Sequence, residues 1–523
     1  MKKVYFTIAC LFIWTCYGIC QKNDYNYLYR SAPIGSGVSV SYIDSLMDIK
    51  IDPFTWNGTL YGSAVLNDNE GNFLGYFNSR NLYDSIGRIA INGDRMAVGY
   101  FLNYFFQFLP ENEGLGNAGN CAFIPINDSL YYLFYGSAEL WAGAPDYAIQ
   151  FMEQGKKLTS YTDGIFLTKV RLNADNRLYI LPEEKQIVLI DDLFQYANLM
   201  FCKQANGEDW WLIIPKALDS LASRFEIKSN GEINELEEIK FSNNYWRVRT
   251  NSEFDFSPDG RYLARLIHRT NTIFKDILEV FAFNRCDGTL NEIKIDSFDL
   301  PEYYTHFGDV KFSPNNQFLY MGFGSLLLQF DMNDPDFMKH PDTIGRYDGF
   351  LYNGHHPIFD SFWLLPNRKI LVSGNEYTPY LHYIEDPDIK GNSCHFIQRA
   401  LELPADPLNP PFGLNLSRLP DFIPFRMGPI ESPCGTSRIV LADQIPLKIF
   451  PNPAVDIFSI TCPALIYQVV IYNVNGQKID DFHIQDIQDH YEFSLTGWSP
   501  GVYFVICRDK TGQVIGTKKL IKI

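Results

Sequence analysis

The chain has 523 residues, 46% of them apolar and 15% aromatic, which is too long for one ordinary domain and ample for large buried cores. Its 32 Tyr and 41 Phe favour strands over helices. A net charge of −17 argues against tracking a phosphate backbone, which needs clustered Lys and Arg, so nucleic acid is not an expected partner.

Met1-Lys2-Lys3, an apolar stretch from Val4 to Trp14 and small residues near Gly18 have the layout of a cleavable secretory signal over residues 1–20. Cleavage after Cys20 leaves Gln21 first, and cleavage after Gly18 fits nearly as well. Lipidation of Cys20 is the rival reading, but Ile19 stands where a lipidation signal needs a small residue. The stretch is too short to span a bilayer, and no later run approaches ~18 uninterrupted apolar residues, so no transmembrane segment is expected.

Residues 21–403 carry a recurring strand-turn-strand unit. Its clearest copies are Phe254–Ala264, Val310–Tyr320 and Trp363–Val372, in which Pro presets the turn and Asp or Asn caps it, with Gly260 relieving it in the first. From Pro258 to Pro314 is 56 residues and from Pro314 to Pro366 is 52, an interval that marks a repeat architecture. Weaker copies at Gly62–Tyr76, Ala122–Leu133, Val170–Tyr179 and Phe201–Ile214 bring the turn centres to seven, near 69, 125, 174, 206, 258, 314 and 366. The step from 174 to 206 is tight, so seven is preferred over six or eight. The expected fold class is all-β: a β-propeller, whose closure leaves only short protected edges, followed by a small immunoglobulin-like β-sandwich. A stack of β-sandwiches is the alternative for the body.

Residues 404–445 read as a strap and linker, because Pro404, Pro407, Pro410, Pro411, Pro420 and Pro424 keep the chain extended, and the strap is expected to cross the ring. Ten cysteines, less three in the signal, leave an odd seven, and no two stand at C-x-x-C spacing, which disfavours structural zinc. Cys394 and Cys434 bracket the strap and are the favoured disulfide; two free buried thiols are the alternative.

Residues 446–523 carry Ile449-Phe450-Pro451-Asn452-Pro453, then Val470 to Lys478, then Trp498 to Val505, and end at Lys518-Lys519-Leu520-Ile521-Lys522-Ile523. Two-residue alternation over Tyr491–Thr496, with turns at Asn475-Gly476 and Thr511-Gly512, predicts an antiparallel sandwich. In that order these segments resemble the C-terminal sorting domain of cargo of the Bacteroidetes type IX secretion system. The resemblance implies a secreted or outer-membrane surface-attached protein, with the type IX machinery and its sortase-like peptidase as partners. It also implies a sorting-signal motif made of Pro451, Asn452, Pro453, Asn475, Gly476, Pro500, Gly501, Tyr503, Lys518 and Lys519.

A second resemblance spans Leu60 to Cys434. Gln204 to Trp211, Phe283 to Gly288, the Phe-Ser-Pro turns at Phe256 and Phe312, and Leu416 to Gly428 look like secreted WD40-like propeller proteins of Bacteroidetes. It implies fold and export and brings no substrate with it. The chain departs from that group at Gln204 and Glu208, where basic residues are commoner, which puts a ligand role there in doubt.

Catalytic motifs are not found: there is no H-E-x-x-H, no G-x-S-x-G, and the sialidase-type box fails where Arg261 stands in place of Gly. His355-His356 on a strand would point to opposite faces and share a metal poorly, so no metal site is expected. The acidic turns Asn67–Gly71 and Asp331–Asp336 hold oxygens that could take Ca²⁺ but read as solvated turns, and no other cofactor is expected. Trp210-Trp211 offers either a sugar platform or packing between blades. The expected function is a non-catalytic binding or scaffold protein with an unknown extracellular ligand. The alternative is a polymer-acting hydrolase using acidic residues in the propeller mouth.

Overall fold

The structure is a computed structural model that describes residues 26–30, 37–43, 46–52, 64–96, 98–99, 121–137, 139–140, 160–195, 199–216, 220–241, 252–267, 275–299, 308–374, 378–404, 423–430, 434, 448–461, 466–473, 477–484, 490–508 and 514–523. The chain divides into two compact units, a body (Met1–Pro433) and a sorting unit (Cys434–Ile523). The signal over residues 1–20 and the Asn475-Gly476 turn lie outside the described residues. Among those described there are strands and short 3₁₀ turns, and no helix long and apolar enough to cross a membrane.

The body is a β-propeller built of small antiparallel sheets in chain order. Blade 1 is Asn26–Arg30, Gly37–Ile43 and Leu46–Asp52; blade 2 is Ala64–Asn67, Phe73–Phe77 and Leu82–Asp84. Blade 3 is Cys121–Asn127, Leu130–Gly136 and Ile165–Leu172, with its outer rank split into Leu178–Tyr179 and Ile187–Ile190. Blades 4 to 7 are four-stranded meanders starting with Met200–Lys203, Ser252–Phe256, Gly308–Phe312 and Phe362–Leu364, and ending with Ile233–Lys240, Thr289–Asp299, Asp342–Arg346 and Phe396–Glu402. The units expected near 125 and 174 are therefore one sheet. Asn127-Asp128-Ser129 joins its first two strands and Asn173 to Asn176 its last two, so one turn chemistry served two hairpins of blade 3. Blade 1, which the turn spacing did not register, brings the described blades to seven, and a two-stranded ribbon of Glu139–Leu140 and Ser160–Tyr161 is the body's remaining described sheet.

The repeat is visible in the turn leaving the first strand. Ser257 and Ser313 each accept, through Oγ, the N–H five residues on, from Tyr262 and Phe318, both at 2.9 Å. Three residues after the turn opens, blades 4 to 7 place Gly207, Gly260, Asn316 and Arg368 in the left-handed region at φ of 77°, 72°, 64° and 70°. Such a conformation suits Gly and Asn and strains Arg. Phe256 and Phe312 end their first strands and pack against the blade before: Phe256 with Cys202 and Trp211, Phe312 with Ala264 and Leu278. Leu365 is also buried, one place past the first strand of blade 7.

The sorting unit is a sandwich of a three-stranded sheet (Lys448–Phe450, Ile457–Thr461, His490–Ser494) and a four-stranded sheet (Lys478–His483, Gln468–Asn473, Gly501–Arg508, Val514–Lys522). Phe458, Ile460 and Phe493 from the first meet Ile471, Val505 and Leu520 from the second in one core.

Candidate functional site

The first strands of blades 5, 6 and 7 converge on a cavity of about 280 Å³, and the strap segment Ile423–Met427 supplies its other wall. Inner strands expose one row of backbone N–H groups that no ladder partner fills. Carboxylates from the preceding blade fill two of them: Asp255 Oδ2 accepts Phe312 N–H at 2.8 Å, and Asp309 Oδ2 accepts Phe362 N–H at 2.7 Å. Lys311 Nζ donates to Asp255 Oδ1 at 2.9 Å, so both oxygens of Asp255 are engaged. Burial pushes the Asp255 carboxyl above the usual range, against the Lys311 ammonium and the Phe312 N–H, which pull it down. Trp363, 2% exposed, and Pro258, Pro314 and Pro366 make the walls largely apolar. Asp255 is the one acidic side chain among the described residues lining the cavity.

The strap is fixed beside this cavity by Arg285. Its Nε donates to Lys203 O at 2.9 Å and its Nη1 to Asp259 O at 3.0 Å, while Nη2 reaches Gln204 O at 2.8 Å and Gly428 O at 2.6 Å. Carbonyls of blade 4, blade 5 and the strap thus meet on one guanidinium, whose planar fork suits several acceptors at once. Burial lowers the pKa of Arg285. Around it, Ala205 N–H donates to Arg285 O at 3.0 Å, Ile430 N–H to Ala205 O at 2.9 Å, and Trp211 Nε1 to Arg285 O at 2.8 Å. Trp210, on the opposite face of its strand, meets strap residue Phe425 edge-on, with ring centroids 5.5 Å apart. Both tryptophans are therefore packing residues, buried to 2% and 3% exposure. Gln204 to Trp211, Asn284 to Gly288 and the strap, far apart in sequence, come together here as a clamp.

Lys203 stands where blades 5 and 6 place Phe256 and Phe312, one residue before the turn opens. Its ammonium lies 5.3 Å from the Trp210 ring centroid, and among the described residues no carboxylate is within ion-pair distance. Burial, then the charge of Arg285, holds it down to about 8.

The expected Cys394–Cys434 bridge is not formed. Cys394 is a free thiol at 0% exposure in the core between blades 6 and 7, and burial pushes it up to about 11. Cys434 and Cys286 are each disulfide-bonded. A bracketing position in sequence says nothing about which side of a blade a residue faces, and Cys394 faces inward. His356 Nδ1 lies 3.1 Å from Tyr347 Oη, and His355 sits in a tight turn with Tyr352. Asp68 and Asp331 cap their own turns by accepting the N–H groups of Asn72 and Asn333. Among the described residues, no group of three or more His, Cys, Asp or Glu is placed to hold a metal.

In the sorting unit the first and last motif segments are stitched together. Asn452 Nδ2 donates to Lys519 O at 2.6 Å and its Oδ1 accepts Ile521 N–H at 2.9 Å, so one side chain imitates a neighbouring strand. Ala454 N–H then donates to Ile521 O and Ile523 N–H to Ala454 O. Pro451 and Pro453 flank Asn452 on the surface, and Lys518 and Lys519 lie on the final strand. Tyr503 is buried and donates to Ser499 O at 2.7 Å across the turn that holds Pro500 and Gly501.

Residues 448–523 match the family model described as "Secretion system C-terminal sorting domain", of the type IX kind, which indicates export to the cell surface or beyond. No curated protein matches the chain. Among solved structures, a protein from Lactobacillus plantarum is 13% identical, with 74% of this chain and 85% of that chain covered at a TM-score of 0.34. The periplasmic gluconolactonase of Pseudomonas aeruginosa is 11% identical, with 75% and 97% covered at a TM-score of 0.34. A protein of unknown function from Bacteroides thetaiotaomicron is 7% identical, with 75% and 84% covered at a TM-score of 0.29. Likeness at this level assigns no activity to the chain.

Proposed function

We propose that this chain is a WD40-like propeller of a Bacteroidetes cell surface, exported by the type IX machinery, processed by its sortase-like peptidase, and serving there as a non-catalytic binding or scaffold protein. The observation that carries the non-catalytic reading is the state of Asp255. A hydrolase working through two carboxylates needs one acid and one base facing a common substrate. Among the described residues, the lining of the cavity between blades 5 to 7 and the strap offers one acidic side chain, and both of its oxygens serve the contact between blades 5 and 6. The clamp on the strap supports the same reading, since Arg285 spends its donors on backbone carbonyls rather than on a ligand.

Purified exported protein, screened against glycan arrays and against peptide, ester and glycoside substrates with and without Ca²⁺, tests this. No turnover is expected, and any ligand should raise the melting temperature by an amount that grows with the logarithm of its concentration over Kd. Turnover that disappears in Asp255→Asn would replace the binding reading with the hydrolase one.

A further inference from the structure

We infer that the outer face of the four-stranded sheet in the sorting unit is the surface held by a protein of the type IX machinery, a partner with an apolar centre and an acidic rim. The inference rests on the export reading above and says where the unit is read.

Side chains alternate along a strand, so the buried ones fix the direction of the rest. Tyr503, Val505 and Cys507 lie in the core of the unit, and so do Val469, Ile471 and Leu520. Val502, Phe504 and Ile506, together with Tyr472 and Ile521, therefore face away from it. The register makes them neighbours: Phe504 pairs with Tyr472 on one side and Lys519 on the other, Val502 with Ile521, and Ile506 with the buried Val470. Directly paired side chains stand about 5 Å apart, so these residues form one continuous apolar patch. Phe504, at its middle, is 40% exposed.

A sheet with one wet face normally alternates apolar inward and polar outward. The three-stranded sheet of the same unit follows that rule. Lys448, Ser459, Thr461, His490, Glu492 and Ser494 share its outer face, and the two apolar members there, Phe450 and Ile457, do not pair with each other. The apolar outer face thus belongs to one sheet and not to the unit as a whole, and a contiguous patch of this kind marks a surface for a partner. Two further facts say which partner. Residues 448–523 match a sorting domain, whose work requires that the export apparatus hold it. The same residues carry seven Lys and Arg against seven Asp and Glu, so this neutral unit on a chain of net charge −17 has no pull toward an anionic lipid surface. Both facts favour a protein. Lys519, beside Phe504, is exposed and has no carboxylate within ion-pair distance among the described residues, which calls for an acidic rim on the occupant.

The test is site-specific photo-crosslinking of the full-length chain during export, in a host that carries the secretion system, with the photoreactive group in place of Phe504 or of Glu492. From Phe504 an adduct is expected whose partner mass spectrometry identifies as a component of the machinery; from Glu492, on the polar face, that adduct should be several-fold weaker. Phe504→Glu and Ile506→Glu should each cut the exported fraction several-fold, because an aromatic anchor and its neighbour at the centre of an interface carry most of the binding. The retained protein should stay protease-resistant in both units. Phe504→Tyr, which keeps the ring, and Glu492→Lys should export as the parent does. No adduct from Phe504, an adduct only with a second copy of the chain or with lipid, or parent-level export of both Glu variants would overturn the inference. Where a Glu variant loses protease resistance, the adduct alone decides. Normal export of the folded variants beside blocked export of a chain lacking Gly516–Ile523 means that the surface is wrong and the sorting reading stands. Export of the shortened chain removes that reading as well.

Discussion

Each of the two units fastens a terminal segment to a distant part of itself, and they do so with opposite chemistry. In the sorting unit a neutral, exposed amide, Asn452, pairs with the edge of the last strand through one donor and one acceptor. In the body a buried cation, Arg285, gathers four carbonyls from two blades and the strap. The first device pairs a strand edge whose polar groups water could also satisfy, so its loss is tolerable. The second leaves desolvated carbonyls without donors if the cation is removed, so the body depends on it far more heavily.

The largest expected effect follows directly. Arg285→Met should lower the stability of the body by about 3 kcal/mol or more, read by urea unfolding, because hydrogen bonds to a charged group are the stronger kind and several are lost together. Arg285→Lys should restore little of it, since an ammonium lacks the planar fork. A loss below ~1 kcal/mol would mean that the clamp is not what holds the strap.

Glycine substitutions sharpen the contrast. Gly207, at φ 77°, would place a Cβ 2.5 Å from Pro429 N of the strap, whereas Gly497 in the sorting unit, at φ 86°, has nothing within 4 Å of the same position. Gly207→Ala combines backbone strain with a collision against backbone and should cost about 2–3 kcal/mol; Gly497→Ala carries the backbone term alone, about 1 kcal/mol. Equal losses at the two sites would remove the argument that the strap presses directly on blade 4.

A pH effect belongs to the body as well. His382 is fully buried, its Nδ1 accepts Arg399 N–H at 3.0 Å, and burial followed by the charge of Arg399 holds it down to about 3. The unfolded chain takes up a proton below the ordinary histidine value while the folded one resists until about 3, so this contribution is fully present above that ordinary value and lost as pH falls toward 3. Between those limits stability should fall by up to about 1.4 kcal/mol per pH unit, and His382→Gln should flatten that part of the curve. An unchanged slope in the variant would place the titration elsewhere. The smallest effect is expected in the sorting unit: Asn452→Ala loses two hydrogen bonds at the surface and should cost about 1 kcal/mol. Asn452→Asp should cost more, because it sets an acceptor against Lys519 O.

The parts legible in the sequence were those with local physical causes. Pro258, Pro314 and Pro366 marked turns because their chemistry acts within four residues, and the alternation of Tyr491 to Thr496 gave a strand for the same reason. The clamp was not legible, since Arg285 bonds to backbone carbonyls, and a carbonyl leaves no trace in residue identity. Its neighbours could be quoted as a resemblance, Gln204 to Trp211 and Phe283 to Gly288, without any sign that they meet. The cavity between blades 5 to 7 and the strap was not legible either: nothing local says that Asp255 faces Lys311 across a blade boundary. Cys394 misled because position along the chain was read as position in space. Blade 3 misled because one turn chemistry served two hairpins of a single sheet.

Export is where the account can be tested most directly. Deleting Gly516–Ile523 removes most of the final strand and the partners of Asn452, Lys519 and Ile521, while the body keeps its own packing between blades. Fractionation of a host that carries the secretion system, with protease resistance of the body as the readout of folding, gives the result. The account predicts a truncated protein retained in the periplasm with a protease-resistant body, and the same truncated protein outside the cell at the full-length level would contradict it.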